Sequence, residues 1–123
     1  MGTRKRDTGL DALLDLDGEV FVVDEDGRYV ARIRAKRVPV TAEKPHGLDY
    51  SLTLHDENGR RIVGFDNAHP FRPTRGPSGR SRKSQDHEHR GSSTRTYRYE
   101  DAATLLADFW TEVDKALGGE DGR

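Results

Sequence analysis

Apolar and polar positions alternate along two stretches of this chain, and the alternation places a sheet. Over residues 29–38, Tyr29, Ala31, Ile33 and Ala35 fall on one side and Arg32, Arg34 and Lys36 on the other. Over residues 48–55, Leu48, Tyr50, Leu52 and Leu54 alternate with Asp49, Ser51, Thr53 and His55. Period two marks a strand with one buried face. Asn58-Gly59 is a strong hairpin signal and joins the second stretch to a strand over residues 61–65. Val20-Phe21-Val22-Val23 is β-branched and aromatic and reads as a further strand, closed by the turn Asp24-Glu25-Asp26-Gly27.

Elsewhere the period changes or vanishes. Leu10, Leu13 and Leu14 carry helical spacing, so a short helical turn is expected over residues 10–16, ended by Asp17-Gly18. Pro39 and Pro45 bound a loop holding His46 and Gly47. Residues 69–95 are rich in proline, glycine and serine and read as loop, with a last short strand over residues 96–99. Asp101 is a credible N-cap for a helix to about Leu117, with Leu106, Phe109 or Trp110, Val113 and Leu117 as its apolar stripe and Gly118-Gly119 as its end. Tyr97 and Tyr99 are read as packing against that helix.

The expected fold class is therefore α+β: a mostly antiparallel sheet of four to five strands, with the C-terminal helix packed on one face and Arg32, Arg34 and Lys36 on the other. The expected organisation is a disordered basic tail (1–9), one domain (10–118) with a flexible basic loop at 70–95, and a disordered tail (119–123).

Composition narrows the function classes. With 123 residues there is room for one domain, and 35% charged residues leave only a modest core. The absence of cysteine excludes disulfides and cysteine-based zinc sites and fits a cytoplasmic protein. No apolar run is long enough for a membrane span, and the basic start Met1-Gly2-Thr3-Arg4-Lys5-Arg6 has no signal-peptide core behind it. The net charge of −1 hides segregation: charged residues are all acidic from Asp7 to Gly27, all basic from Arg28 to Arg37, and mostly basic from Phe71 to Arg98. A basic side can attract a polyanion; equally, acidic and basic faces can pair within the molecule.

The candidate chemistry gathers at Asp66-Asn67 and at Asp86-His87-Glu88-His89-Arg90. In an extended backbone His87 and His89 project to one side and Asp86 and Glu88 to the other. Two imidazoles can act as general base and general acid, because one can be neutral while the other is charged. RNA brings its own nucleophile, the 2′-hydroxyl. Asp66 or Asp86 could orient an imidazole, and Arg90 could steady the phosphate. Arg32, Arg34 and Lys36 suit further backbone phosphates. The expected catalytic set is thus His87, His89, Asp86, Asp66 and Asn67, with Arg90, Arg32, Arg34 and Lys36 binding substrate and no metal or other cofactor required. A mobile loop of solvated polar residues accounts for the same spacing. So does a metal site of His87 and His89 completed by Asp66, His69 or Asp86. His46 and His55 read as surface histidines.

The order of Pro45-His46-Gly47-Leu48-Asp49-Tyr50-Ser51-Leu52, Gly59-Arg60-Arg61-Ile62-Val63-Gly64-Phe65-Asp66-Asn67-Ala68-His69, Asp86-His87-Glu88-His89, Tyr97-Arg98-Tyr99 and Leu105-Leu106-Ala107-Asp108-Phe109-Trp110 resembles the TumE-like toxins. These are toxin components of two-gene toxin–antitoxin modules, typically beside a helix-turn-helix antitoxin. The resemblance covers residues 20–117 and implies a growth-inhibiting activity and an antitoxin partner. Carried over by position, its motif residues are Asp66, Asn67, Asp86, His87 and His89. The insert over residues 70–85 is longer and richer in arginine than the resemblance would suggest, so the placing of Asp66 against His87 rests on the fold. RNA cleavage is read from the residues themselves. The expected function is a type II toxin that cleaves RNA, the alternatives being a non-catalytic RNA- or ribosome-binding module or a metal-dependent nuclease. The expected partners are a helix-turn-helix antitoxin and RNA, with a homodimer left open and no membrane.

Overall fold

The computed structural model describes residues 7–42, 44–67 and 86–118. The short helix α1 (Leu10–Asp15) leads into six strands, β1 (Val20–Val22), β2 (Val30–Arg37), β3 (Leu48–His55), β4 (Arg61–Asp66), β5 (His87–Arg90) and β6 (Ser93–Thr96), followed by helix α2 (Ala102–Ala116). The strands form one sheet in sequence order, every neighbouring pair antiparallel. The fold is the expected α+β sheet with a C-terminal helix, carrying one strand more than the upper count read from the sequence.

The extra strand comes from the stretch read as loop. Residues 87–90 and 93–96 pair with each other, and β5 also pairs with β4. Tyr97 and Tyr99, expected in a last strand, follow β6 without strand structure. Tyr97 stands edge-on to Phe65 and its hydroxyl donates to Asp108 Oδ2 at 2.6 Å, which ties the end of the hairpin to α2.

One face of the sheet is the core. Ala31, Ile33 and Ala35 of β2, Leu48, Tyr50, Leu52 and Leu54 of β3, and Val63 and Phe65 of β4 are buried there with Leu13 of α1 and Ala102, Leu105, Phe109 and Val113 of α2. The buried stripe of α2 is Ala102, Leu105, Phe109 and Val113, while Leu106 and Leu117 are only partly covered. Asp101 caps α2 as expected, Oδ1 accepting from Thr104 N at 2.8 Å. Asp7 adds a second acceptor, taking the Ala102 N–H at 2.7 Å. Residues 7–9, counted in the expected tail, are thereby held against α2. Gly9 (φ 81°) permits that approach, because a Cβ there would come within 2.7 Å of Ala103 N. The expected disorder of residues 1–6 and 119–123, and the part of the expected flexible loop over residues 70–85, lie outside the described residues. None of the helices among the described residues is long and apolar enough to cross a membrane.

Candidate active site on the open face of the sheet

Both helices pack on the core face. Among the described residues no element covers the opposite face, and period-two alternation decides what stands on it. The register aligns two rows across the strands. Arg34, Ser51, Asp66, His87 and Thr96 form one; Arg32, Thr53, Gly64, His89 and Thr94 form the other. The imidazole pair and the cationic stripe of β2 thus share one surface, separated by β3 and β4.

Asp66, His87 and His89 come together within it. The Nε2 of His89 lies 3.1 Å from Asp66 Oδ2, with the two side chains only 15% and 14% exposed. A carboxylate accepts only, so Nε2 carries the proton and donates. In the neutral ring that leaves Nδ1 as an acceptor for the Thr94 hydroxyl, 3.1 Å away. One imidazole is therefore fixed in both orientation and tautomer by strands on either side. The ring of His87 lies 6.2 Å from that of His89, centre to centre. No hydrogen bond to the His87 side chain occurs among the described residues, and the residue is half-buried.

The remaining expected site residues go elsewhere. Asn67 is buried, and its side-chain amide continues the β3–β4 ladder past the last backbone pair. Its Oδ1 accepts from Tyr50 N at 3.0 Å and its Nδ2 donates to Leu48 O at 2.6 Å. Its own carbonyl accepts from Lys44 Nζ. Asp86 points to the helix side, as alternation requires. It is buried, accepts from the Tyr50 hydroxyl at 2.7 Å, and faces His46 Nε2 at 3.9 Å. Burial raises its pKa, against the opposing pull of the Tyr50 hydrogen bond. Burial raises the Tyr50 phenol too, helped by the Asp86 charge, so the pair is a carboxylate held by a neutral phenol. His46, read as an ordinary surface residue, also stacks on Tyr99 with ring centres 4.2 Å apart.

Arg90 also leaves the imidazoles. Its Nη1 donates to Glu112 Oε1 of α2 at 2.8 Å, on the helix side of the sheet. Of the expected phosphate-binding residues, Arg32, Arg34 and Lys36 are on the face of His87 and His89 and Arg90 is not. Beside Arg90, a polar cleft of about 240 Å³ is lined by Glu88, Arg95, Tyr97, Asp108 and Glu112 among others. Its acids are already engaged: Glu88 by Arg95, Asp108 by Tyr97 and Glu112 by Arg90. It lies away from the imidazoles and offers them nothing.

Sequence reasoning missed Thr94, Ser51 and Thr53 as neighbours of the imidazoles, Thr94 because its strand was read as loop. No group of three or more His, Cys, Asp or Glu among the described residues is arranged to hold a metal ion. His69, weighed as a ligand, lies outside those residues.

The surface thus offers an imidazole held by a carboxylate and a hydroxyl, a second imidazole beside it, and a row of cations two strands further along the same face. That set can take a proton from one oxygen, give one to another and attract an anion between them. A family model described as toxin TumE matches residues 10–117. No curated protein and no solved structure gives a match.

Proposed function

The chain belongs to the TumE toxin family, and on that premise we propose that it arrests growth by cleaving RNA on the sheet face opposite the helices. The supporting observation is the Asp66–His89 pair at 3.1 Å with His87 beside it, on the face that also carries Arg32, Arg34 and Lys36. His89 acts as base. Asp66 holds its Nε2–H, and Nδ1 takes the proton of the ribose 2′-hydroxyl, which replaces the Thr94 hydroxyl there. The 2′-oxygen attacks the adjacent phosphorus, the bond to the 5′-oxygen breaks, and His87 as imidazolium protonates that oxygen. The products are a 2′,3′-cyclic phosphate and a free 5′-hydroxyl. No metal takes part in these steps. Arg32, Arg34 and Lys36 hold phosphates away from the cleaved bond. Asn67 and Asp86 serve as positioning residues, fixing the ends of β4 and β5 from which Asp66 and His87 project.

A toxin family implies an antitoxin. The proposed module is type II, acting in the cytoplasm, with a helix-turn-helix protein as the partner; β1 and β6 are the edge strands of the sheet, and a homodimer would form through one of them. The test is expression of His87→Ala, His89→Ala and the double variant, with folding checked by circular dichroism. The double variant is expected to be harmless to cells and inert on RNA, in the presence or absence of a chelator. A folded double variant that still arrests growth removes the catalytic reading. The cationic stripe of β2 supports a second reading, a module that occupies RNA without cutting it. Charge reversal at Arg32, Arg34 and Lys36 would then abolish toxicity while loss of the histidines would not, and binding would weaken steeply with salt.

A further inference from the structure

Simple alternation along β4 would put Arg61 under the helices with Val63 and Phe65. The register does otherwise. Leu54 pairs with Val63, but the next residue, His55, pairs with Arg61, so Ile62 is an extra residue in the strand. Ile62 packs against the core in Arg61's place. A bulge of this kind re-aims a side chain, and here it turns Arg61 onto the face of Gly64 and Asp66.

Gly64 makes room for it. Its backbone is not in the left-handed region, so conformation does not demand glycine there. Space does. A methyl group at Gly64 would stand 3.0 Å from Arg61 Cδ, 3.5 Å from Arg61 Nε and 3.5 Å from His89 Cδ2. The Arg61 side chain and the His89 ring therefore flank one bare stretch of backbone. Many cations of this protein are matched: Arg28 with Glu57, Arg90 with Glu112, Arg95 with Glu88, Lys115 with Glu112. Among the described residues no carboxylate pairs with the Arg61 guanidinium. The Asp66 carboxylate, on the same face, accepts from His89.

We infer that Arg61, His89 and His87 form a phosphate site over Gly64, built for a phosphodiester of a nucleic-acid strand. Arg61 takes the role first assigned to Arg90: its planar fork donates to the non-bridging oxygens, with His87 at the bridging 5′-oxygen and His89 at the neighbouring ribose 2′-position. This deepens the proposed RNA cleavage by naming the group that holds the reacting phosphate, and it rests on that reading only for the chemistry that follows binding.

The test titrates the full chain with inorganic phosphate, then with a 2′-deoxy oligonucleotide that cannot be cleaved through a 2′-oxygen. The imidazole NMR signals of His87 and His89 are followed. Both signals are expected to shift and saturate. Losing one charged hydrogen-bonding partner corresponds to roughly 10- to 100-fold in affinity, so Arg61→Gln should weaken binding by that factor. Lys115→Gln, on α2 across the sheet, should leave it unchanged. Gly64→Ala keeps every functional group and only displaces Arg61, so it should weaken binding several-fold with the fold intact. Imidazole signals that ignore both ligands, or Arg61→Gln binding like the parent, overturns the inference. Arg61-dependent binding by a protein that cuts no RNA supports the site and removes the cleavage reading. RNA cleavage unaffected by Arg61→Gln removes the site and leaves cleavage standing.

Discussion

Replacing Asn67 with alanine separates a structural amide from a chemical one. The side chain stands in for a peptide group at the end of the β3–β4 ladder, accepting from Tyr50 N at 3.0 Å and donating to Leu48 O at 2.6 Å. Alanine removes both bonds, leaving the Tyr50 N–H and the Leu48 carbonyl without these partners in a site where Asn67 is 1% exposed. An unsatisfied buried backbone group costs about 1–3 kcal/mol, so the pair together cost about 2–5 kcal/mol after some relief from entering water. A domain of this size has only about 5–15 kcal/mol of stability in total. The midpoint of thermal unfolding should therefore fall by roughly 10–20 °C. Urea unfolding followed by circular dichroism and Trp110 fluorescence measures the loss directly. Asp66→Asn is the control, expected to stay within about 1 kcal/mol because the amide oxygen still accepts from His89 Nε2–H. Below its lowered transition, the Asn67→Ala protein should still cleave RNA. A variant within about 0.5 kcal/mol of the parent that has lost activity would refute the ladder role and put the amide into the chemistry.

Three further outcomes are expected. Phe109→Ala, which empties a fully buried site facing Phe65 with ring centres 6.2 Å apart, should cost about 3–5 kcal/mol in urea unfolding. Asp101→Ala should cost about 1 kcal/mol, a value kept low because Asp7 also accepts from the first turn of α2. Burial raises the Asp86 carboxyl above its ordinary value of 3.8, so the folded state keeps that proton to higher pH than the unfolded chain. The penalty is absent below the unfolded value and grows as pH rises through the folded one. Asp86→Asn still accepts from the Tyr50 hydroxyl and should flatten this fall in stability from pH 3.8 upward; identical pH slopes for the two proteins would contradict the assignment.

Much of this fold is written locally. Ala31, Ile33 and Ala35 against Arg32, Arg34 and Lys36 fix a strand and its two faces at once, as do the leucines of β3. Asn58-Gly59 supplies the turn that makes β3 and β4 neighbours, and Asp101 starts α2. The same period-two reasoning separates His87 and His89 from Asp86 and Glu88. These features depend on side-chain period and turn chemistry, which act over a few residues.

The β5–β6 hairpin was not legible, because its inward side is polar. Asp86, Glu88 and Arg90 occupy the helix side, where hydrophobic residues would have announced a strand, and they are accommodated there by Tyr50, Arg95 and Glu112. Tyr50 and Glu112 lie far along the chain, so no local pattern reveals them.

What the sequence determined by itself was the class of fold, the helix and the strand faces, since each follows from short-range stereochemistry and the burial of apolar side chains. Only the tertiary structure decided which polar groups meet. Pairing of β5 with β4 brought His89 to an Asp66 that lies 23 residues away, and one extra residue in β4 moved Arg61 from the core side to theirs. Register is set by how whole strands and the helices over them pack together, and a shift of a single residue exchanges the two faces of a sheet.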